Sequence, residues 1–294
     1  MATFLSAFAD AKWPSGEWRN NRAVNKNLIL LLNLLILSSP AVGQQGALPK
    51  EGAPKPAADC ADLPALQERL EERETWLRDW ANLGRYREAN ANLAAPAKDE
   101  QRVVFLGDSI TEGWSSPQFG GFFPGKPYIN RGIGWQTTAQ LLLRFRPDVI
   151  ALQPQVVVIL AGANDIASNT GPMTLEETEG NLASMAELGR AHGIRVVLSS
   201  LMPVSDAITN AEGKKRLQTP DRPPEKILAL NEWIREYAAA NGFVFLDYFS
   251  ATADEKGFLK SELTLDGLHP NAKGYAVMAP LAEKAIHEAL AAKP

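Results

Sequence analysis

The chain predicts an α/β fold, a parallel sheet with helices on both faces. Three observations predict it. Short apolar, strand-like runs recur at residues 103–106, 127–130, 156–160, 195–201 and 243–247. Longer patterns at helical spacing separate them, near 136–152, 174–191, 224–240 and 272–290. Several runs, such as Val156-Val157-Val158-Ile159-Leu160, are apolar without alternation, as strands buried on both faces are. Strands and helices that alternate in this way form βαβ units, and five strands suffice for one flavodoxin-like, three-layer α/β/α sandwich. No internal repeat is apparent.

Residues 1–43 are expected to be a signal peptide. Leu28 to Leu37 is a ten-residue apolar run preceded by Arg19, Arg22 and Lys26 and followed by Ser38-Ser39-Pro40-Ala41-Val42-Gly43. The run is too short to span a bilayer comfortably and points to cleavage near Gly43, with an uncleaved anchor as the alternative. Either way the chain is expected to be secreted or periplasmic. Residues 44–61 are rich in Pro and Ala and read as a linker. Within it, Cys60 follows Ala57-Ala58-Asp59, a poor lipobox, so a free thiol is expected rather than a lipid anchor.

Residues 62–97 are predicted to hold an N-terminal helix, from Asp62 to about Asn90. Leu63, Leu66, Leu70, Leu77, Trp80 and Leu83 lie on one side of it and are expected to pack against the domain formed by residues 98–294.

Composition excludes several classes of function. The formal charge of the 294 residues is −4, and removal of residues 1–43 brings it near −6. No run of Lys and Arg is interleaved with aromatics, so nucleic acid is not an expected partner. One cysteine and three histidines, without zinc spacing, indicate no metal site.

The chemistry-bearing residues fall at strand ends, where open α/β sheets bind ligands. Val103-Val104-Phe105-Leu106 stops at Gly107, and Asp108-Ser109 then opens a helical turn. Ser109 is the candidate nucleophile, a simple helix cap being the alternative. After the second run, Gly132 in Asn130-Arg131-Gly132-Ile133-Gly134-Trp135 can offer a backbone N–H to a ligand, or merely form a turn. After the third run, Gly162-Ala163-Asn164-Asp165 supplies Asn164, an amide donor on a short stem suited to polarising a carbonyl, or a helix cap. Of the histidines, His192 sits at a helix carboxyl end and His287 among solvated residues of the last helix. His269, in Asp266-Gly267-Leu268-His269, lies three residues after a carboxylate that can reach Nδ1 while Nε2 points outward, the arrangement that fixes the tautomer of a general base. No Gly-x-Ser-x-Gly elbow occurs, which disfavours the α/β-hydrolase fold.

Taken together, Gly107-Asp108-Ser109-Ile110, Gly132, Gly162-Ala163-Asn164-Asp165 and Asp266-Gly267-Leu268-His269 resemble, in order, the four signature blocks of the SGNH (GDSL) hydrolase family. The resemblance covers about residues 101–293, and it looks closest to the compact branch that includes platelet-activating-factor acetylhydrolase catalytic subunits and bacterial lysophospholipase-like esterases. It implies the SGNH hydrolase fold. It also implies Ser109 as nucleophile, His269 as base and acid, and Asp266 as its orienting partner. The amides of Ser109 and Gly132 and the side chain of Asn164 would form the oxyanion hole. Neither metal nor organic cofactor has a task in such a scheme.

The expected activity is hydrolysis of short-chain acyl esters, acetyl foremost, of carbohydrates or lipids. An O-acyltransferase using the same triad on a glycan and a non-catalytic glycan-binding protein are the alternatives. Trp114, Trp135, Ile166 and Met202, with Phe119, Phe122 and Phe123, are the expected wall of the substrate site.

Overall fold

Five parallel strands lie side by side in the order β2-β1-β3-β4-β5: β1 (Val103–Gly107), β2 (Tyr128–Gly132), β3 (Val156–Leu160), β4 (Arg195–Ser199) and β5 (Val244–Leu246). The computed structural model describes residues 67, 68, 70, 71, 74, 77–119, 121–209 and 213–292, all within one compact unit from Cys60 to Pro294. The expected signal segment and linker, residues 1–43 and 44–61, lie outside the described residues.

All residues of β1 and β3 are buried, as their unbroken apolarity requires. The chain moves out from β1 to β2 on one side and to β3 on the other, so the sheet has its switch point there. Gly107 pairs in register with Gly132 and with Leu160. The segments following all three strands therefore emerge together at one edge. β2 runs two residues beyond the expected end because Arg131, although charged, is buried within it.

The helices are α1 (Arg87–Ala91), α2 (Ser109–Gly113), α3 (Thr138–Asp148), α4 (Ala163–Ile166), α5 (Leu175–Ala191), α6 (Pro224–Asn241), α7 (Tyr248–Thr252) and α8 (Ala272–Ala291). Their starts are chemically marked. Thr137 with Gln140, and Thr174 with Glu177, form capping boxes at α3 and α5, while Asn271 accepts from the amides of Lys273 and Gly274 at α8. Helices α3, α5 and α6 pack in succession over one face of the sheet; α8 lies against β3, β4 and β5 and covers the other. His192 accordingly reaches the Leu188 carbonyl at 2.8 Å at the end of α5.

The amino-terminal segment departs from its expected form. The described positions between 67 and 78 are helical, but the helix stops at Asp79, whose carboxylate accepts from the amides of Leu83 and Gly84, and Asn82 takes φ +53°. Leu70, Leu77 and Leu83 are 57%, 68% and 40% exposed, so the leucine face does not cover the domain; Leu63 and Leu66 lie outside the described residues. Polar groups make the attachment instead. The Trp80 and Ala81 carbonyls accept from Gln140 Nε2 (2.6 Å) and Gln136 Nε2 (2.8 Å), Tyr86 Oη donates to the Gly132 carbonyl, and Asn90 bonds both Asp148 and Arg131. Periodicity reports apolar faces and is silent about such contacts.

Arg144, on α3, is wholly buried. Its guanidinium donates to the Gly107 carbonyl at the end of β1 (2.9 Å), the Arg131 carbonyl of β2 (2.7 Å), Gln136 Oε1 (2.6 Å) and Asp148 Oδ2 (3.1 Å). A buried cation is tolerable only when paired and fully hydrogen-bonded, and removal of one partner leaves the other charge stranded. Arg144→Met is therefore expected to cost about 3–5 kcal/mol, read by urea unfolding, and Arg144→Met with Asp148→Leu should recover part of that loss. A single-variant loss below about 1 kcal/mol would contradict the clamp.

Candidate active site

The site forms where β1, β2 and β3 end. At β1, Asp108 caps α2 by accepting from the Ile110 amide at 3.0 Å, which sets Ser109 as the first helical residue. The preceding glycine is dictated by crowding: a Cβ on Gly107 would stand 2.1 Å from Thr111 Oγ1 and 2.7 Å from the Leu160 carbonyl. Without that close approach α2 could not sit against the strand ends.

Across the sheet edge, Ser109 Oγ lies 2.9 Å from His269 Nε2, and His269 Nδ1 lies 2.9 Å from Asp266 Oδ2. A carboxylate only accepts, so Nδ1 carries the proton and Nε2 presents its lone pair to the serine. Asp266 Oδ1 also accepts from the amides of Leu268 (3.1 Å) and His269 (2.8 Å), which folds the loop back so that acid and imidazole face each other. Burial pushes the Asp266 carboxyl up, but the His269 ring and these amides outweigh it and hold the group well below the usual carboxylate range. Among the described residues, His269 is the histidine that meets both a serine and a carboxylate.

Asn164, in α4, is buried. Its Nδ2 donates to the Gln136 carbonyl at 3.0 Å and stands 3.4 Å from Asp108 Oδ2, and its Oδ1 accepts from Arg222 at 3.3 Å. One N–H is firmly used; the other is held only by a long contact. Asp108 is fully buried, and desolvation pushes its carboxyl up to about 6 despite the Ile110 amide. Asp165, quoted in the sequence block without a role, anchors the start of α3 by accepting from the Thr138 amide and hydroxyl. It thereby links the third strand end to the second.

A cavity of about 310 Å³ opens over these groups, with Ser109, Asn164, Asp266 and His269 on its wall. Of the expected wall residues, Trp135 lines it and is 77% exposed. The others do not. Trp114 is buried in an aromatic cluster with Phe105, Phe122, Phe123 and Tyr275, and Ile166 and Met202 lie in the apolar core. Apolar side chains close to strand ends here fill the space beneath the cavity.

Gly132 requires a correction. Its amide donates to Asn130 Oδ1 at 2.8 Å, and a Cβ there would meet the Glu112 amide nitrogen at 2.1 Å. The glycine serves the packing of α2 on β2 and is absent from the cavity wall. Gly134 is likewise engaged, donating to Glu112 Oε2 at 2.7 Å. Trp135 is the residue of this turn that reaches the cavity, held at φ +69°, a strained value for a bulky side chain. Sequence reasoning also passed over Arg216, Gln218 and Arg222, which complete the wall. They lie on an irregular loop before α6, and no spacing signal marks them.

Comparison with known proteins supplies the family. The model of the GDSL-like lipase/acylhydrolase family matches residues 105–277. A GDSL-like lipase from Bacteroides thetaiotaomicron VPI-5482 is 44% identical with a TM-score of 0.63, covering 71% of this chain and 98% of that one. A protein provisionally assigned as an acylhydrolase, from Bacteroides fragilis NCTC 9343, is also 44% identical, with a TM-score of 0.65, covering 72% of this chain and 99% of that one. The uncharacterized lipoprotein YqeF of Bacillus subtilis (strain 168) is 35% identical over 79 residues; the match covers 26% of this chain and about a third (32%) of YqeF. With more than half of its length, Ser109 and His269 included, inside the family match, the chain belongs to the GDSL-like lipase/acylhydrolase family and is a carboxylic ester hydrolase.

Proposed function

We propose that the protein hydrolyses short-chain acyl esters, acetyl esters foremost, through a covalent acyl-enzyme on Ser109. The single observation that carries this reading is the unbroken hydrogen-bonded line from Ser109 through His269 to Asp266.

In this scheme His269 Nε2 takes the Ser109 proton as Oγ adds to the ester carbonyl carbon. The carbonyl π pair moves onto oxygen, and the tetrahedral oxyanion then expels the alcohol, which receives the proton from His269. Water attacks the acyl-serine by the same exchange, releasing the carboxylic acid and restoring Ser109. Asp266, held ionised, keeps the imidazole tautomer and stabilises the imidazolium.

Three donors are assigned to the oxyanion: the Ser109 amide, the Trp135 amide and Asn164 Nδ2. The Ser109 amide is among the first N–H groups of α2, which an α-helix leaves unpaired. Neither it nor the Trp135 amide meets a protein acceptor among the described residues. Trp135 takes the place expected for Gly132, and its positive φ is the backbone strain such a role would sustain. The long contact from Asn164 to Asp108 leaves that hydrogen for recruitment.

Short acyl groups are favoured by the modest cavity. Export is supported by the charged flank and apolar run of residues 19–37, and by the lipoprotein character of YqeF. Among the described residues no helix is long and apolar enough to cross a membrane.

Ser109→Ala and His269→Ala should each abolish p-nitrophenyl acetate hydrolysis, while Asn164→Ala should lower kcat by about 10²–10³ with KM nearly unchanged. Wild-type turnover in any of these variants would refute the assigned role. A stability consequence follows from Asp108. Its folded carboxyl binds the proton more tightly than the unfolded one, so its contribution to stability is present below pH 4 and is lost as pH rises to about 6. Asp108→Asn keeps an acceptor for Ile110 and removes the buried charge. It should stabilise the protein at pH 7.5 by about 1–3 kcal/mol and have little effect at pH 4. Equal shifts at both pH values in urea unfolding would contradict this.

A further inference from the structure

The catalytic cavity is lined by a guanidinium, that of Arg222, which forms no ion pair among the described residues. Arg222, at the turn into α6, is 7% exposed, and its Nε is buried with no hydrogen-bond partner among the described residues. Its only side-chain hydrogen bonds there are long ones to neutral amides, 3.3 Å to Asn164 Oδ1 and 3.5 Å to Gln218 Oε1. Asp108, Asp221 and Asp266 are its electrostatic neighbours, but among the described residues no carboxylate comes within ion-pair distance. Asp221 is exposed on the cavity rim, and Asp266 is committed to His269. The contrast with Arg144 is direct: that guanidinium is buried too, yet it holds a carboxylate, a side-chain amide and two carbonyls.

A second guanidinium shares the same wall. Arg216 is mostly exposed, with Nη1 3.5 Å from Asp266 Oδ2, and Gln218 Nε2 donates to the Asp266 carbonyl at 3.0 Å. Arg216 and Gln218 therefore border the Asp266–His269 side of the cavity, and Arg222 adjoins that side through Gln218 while also reaching Asn164. In ester hydrolysis that is the side of the leaving alcohol, because His269 returns its proton to the alcohol oxygen.

We infer that this wall is a subsite for an anionic group on the alcohol part of the ester, a carboxylate or a phosphate, held by Arg222 and Arg216. Guanidinium forks suit both anions, and a buried cation gains most from an anion that arrives with the substrate. The inference rests on the hydrolytic reading above and narrows its substrate class to esters of acidic alcohols. No new bond chemistry is involved; the acyl C–O bond breaks as described, and the anion only binds.

The test compares matched acetyl esters in the intact protein: acetylated methyl glucuronide against acetylated methyl glucoside, and acetylglycerol 3-phosphate against acetylglycerol. The subsite requires kcat/KM at least about tenfold higher for the charged member of one pair, and the pair that responds tells carboxylate from phosphate. That ratio should collapse in Arg222→Gln and shrink in Arg216→Gln. Because the buried Arg222 variant could fail to fold, wild-type inhibition provides an independent arm: glucuronate or glycerol 3-phosphate should compete at least about tenfold better than glucose or glycerol. Equal rates within both pairs, with no preferential inhibition, would overturn the subsite while leaving the esterase intact. An equal fall for charged and neutral esters in Arg222→Gln would overturn it as well, and would make Arg222 a positioning residue acting through Asn164. Failure of the wild type to hydrolyse any of the four esters would count against the hydrolytic reading instead.

Discussion

The active-site architecture depends on one buried guanidinium. Arg144 holds the carbonyl ends of β1 and β2 and the side chain of Gln136, and the Gln136 carbonyl in turn receives Asn164. A single side chain on α3 thus ties together three segments that leave the sheet at the same edge. Loops by themselves position side chains loosely; a desolvated charge with five donors in a rigid fork removes that freedom. The price is a charge that must stay paired, which is why Asp148 stands beside it and Asn90 reaches across from the amino-terminal segment.

Much of the fold was legible because it is governed by burial. The strands are written as apolar runs, and β3 coincides with its run from Val156 to Leu160. Ser109, Asp266 and His269 were legible for a different reason: a three-residue step between acid and imidazole has few uses, and a serine just after a buried strand stands where the crevice opens, although its neighbour Asp108 turns inward as the helix cap. Gly132 shows the limit. A glycine can be required for a ligand or for packing, and only coordinates show that a Cβ would strike α2. The aromatic residues show it again, since Trp114 and Trp135 look alike in sequence, yet one is core and the other stands over the cavity.

The residues that carry specificity were not legible at all. Arg216, Gln218 and Arg222 sit on an irregular loop, distant in sequence from every motif, and nothing local distinguishes them from solvated charges. The polar docking of residues 80–90 was hidden for a similar reason, because hydrogen bonds between side chains and carbonyls leave no periodic trace. Selection by such loops on a rigid sheet is how one scaffold accommodates different esters.

The central claim is that Ser109 is the atom that attacks, driven by His269. Treating the protein with a fluorophosphonate and mapping the adduct by peptide mass spectrometry tests it most directly. The account predicts one modified peptide, containing Ser109, formed in the wild type and suppressed when His269 is replaced by alanine. Modification at another residue, or equal labelling with and without His269, would contradict it.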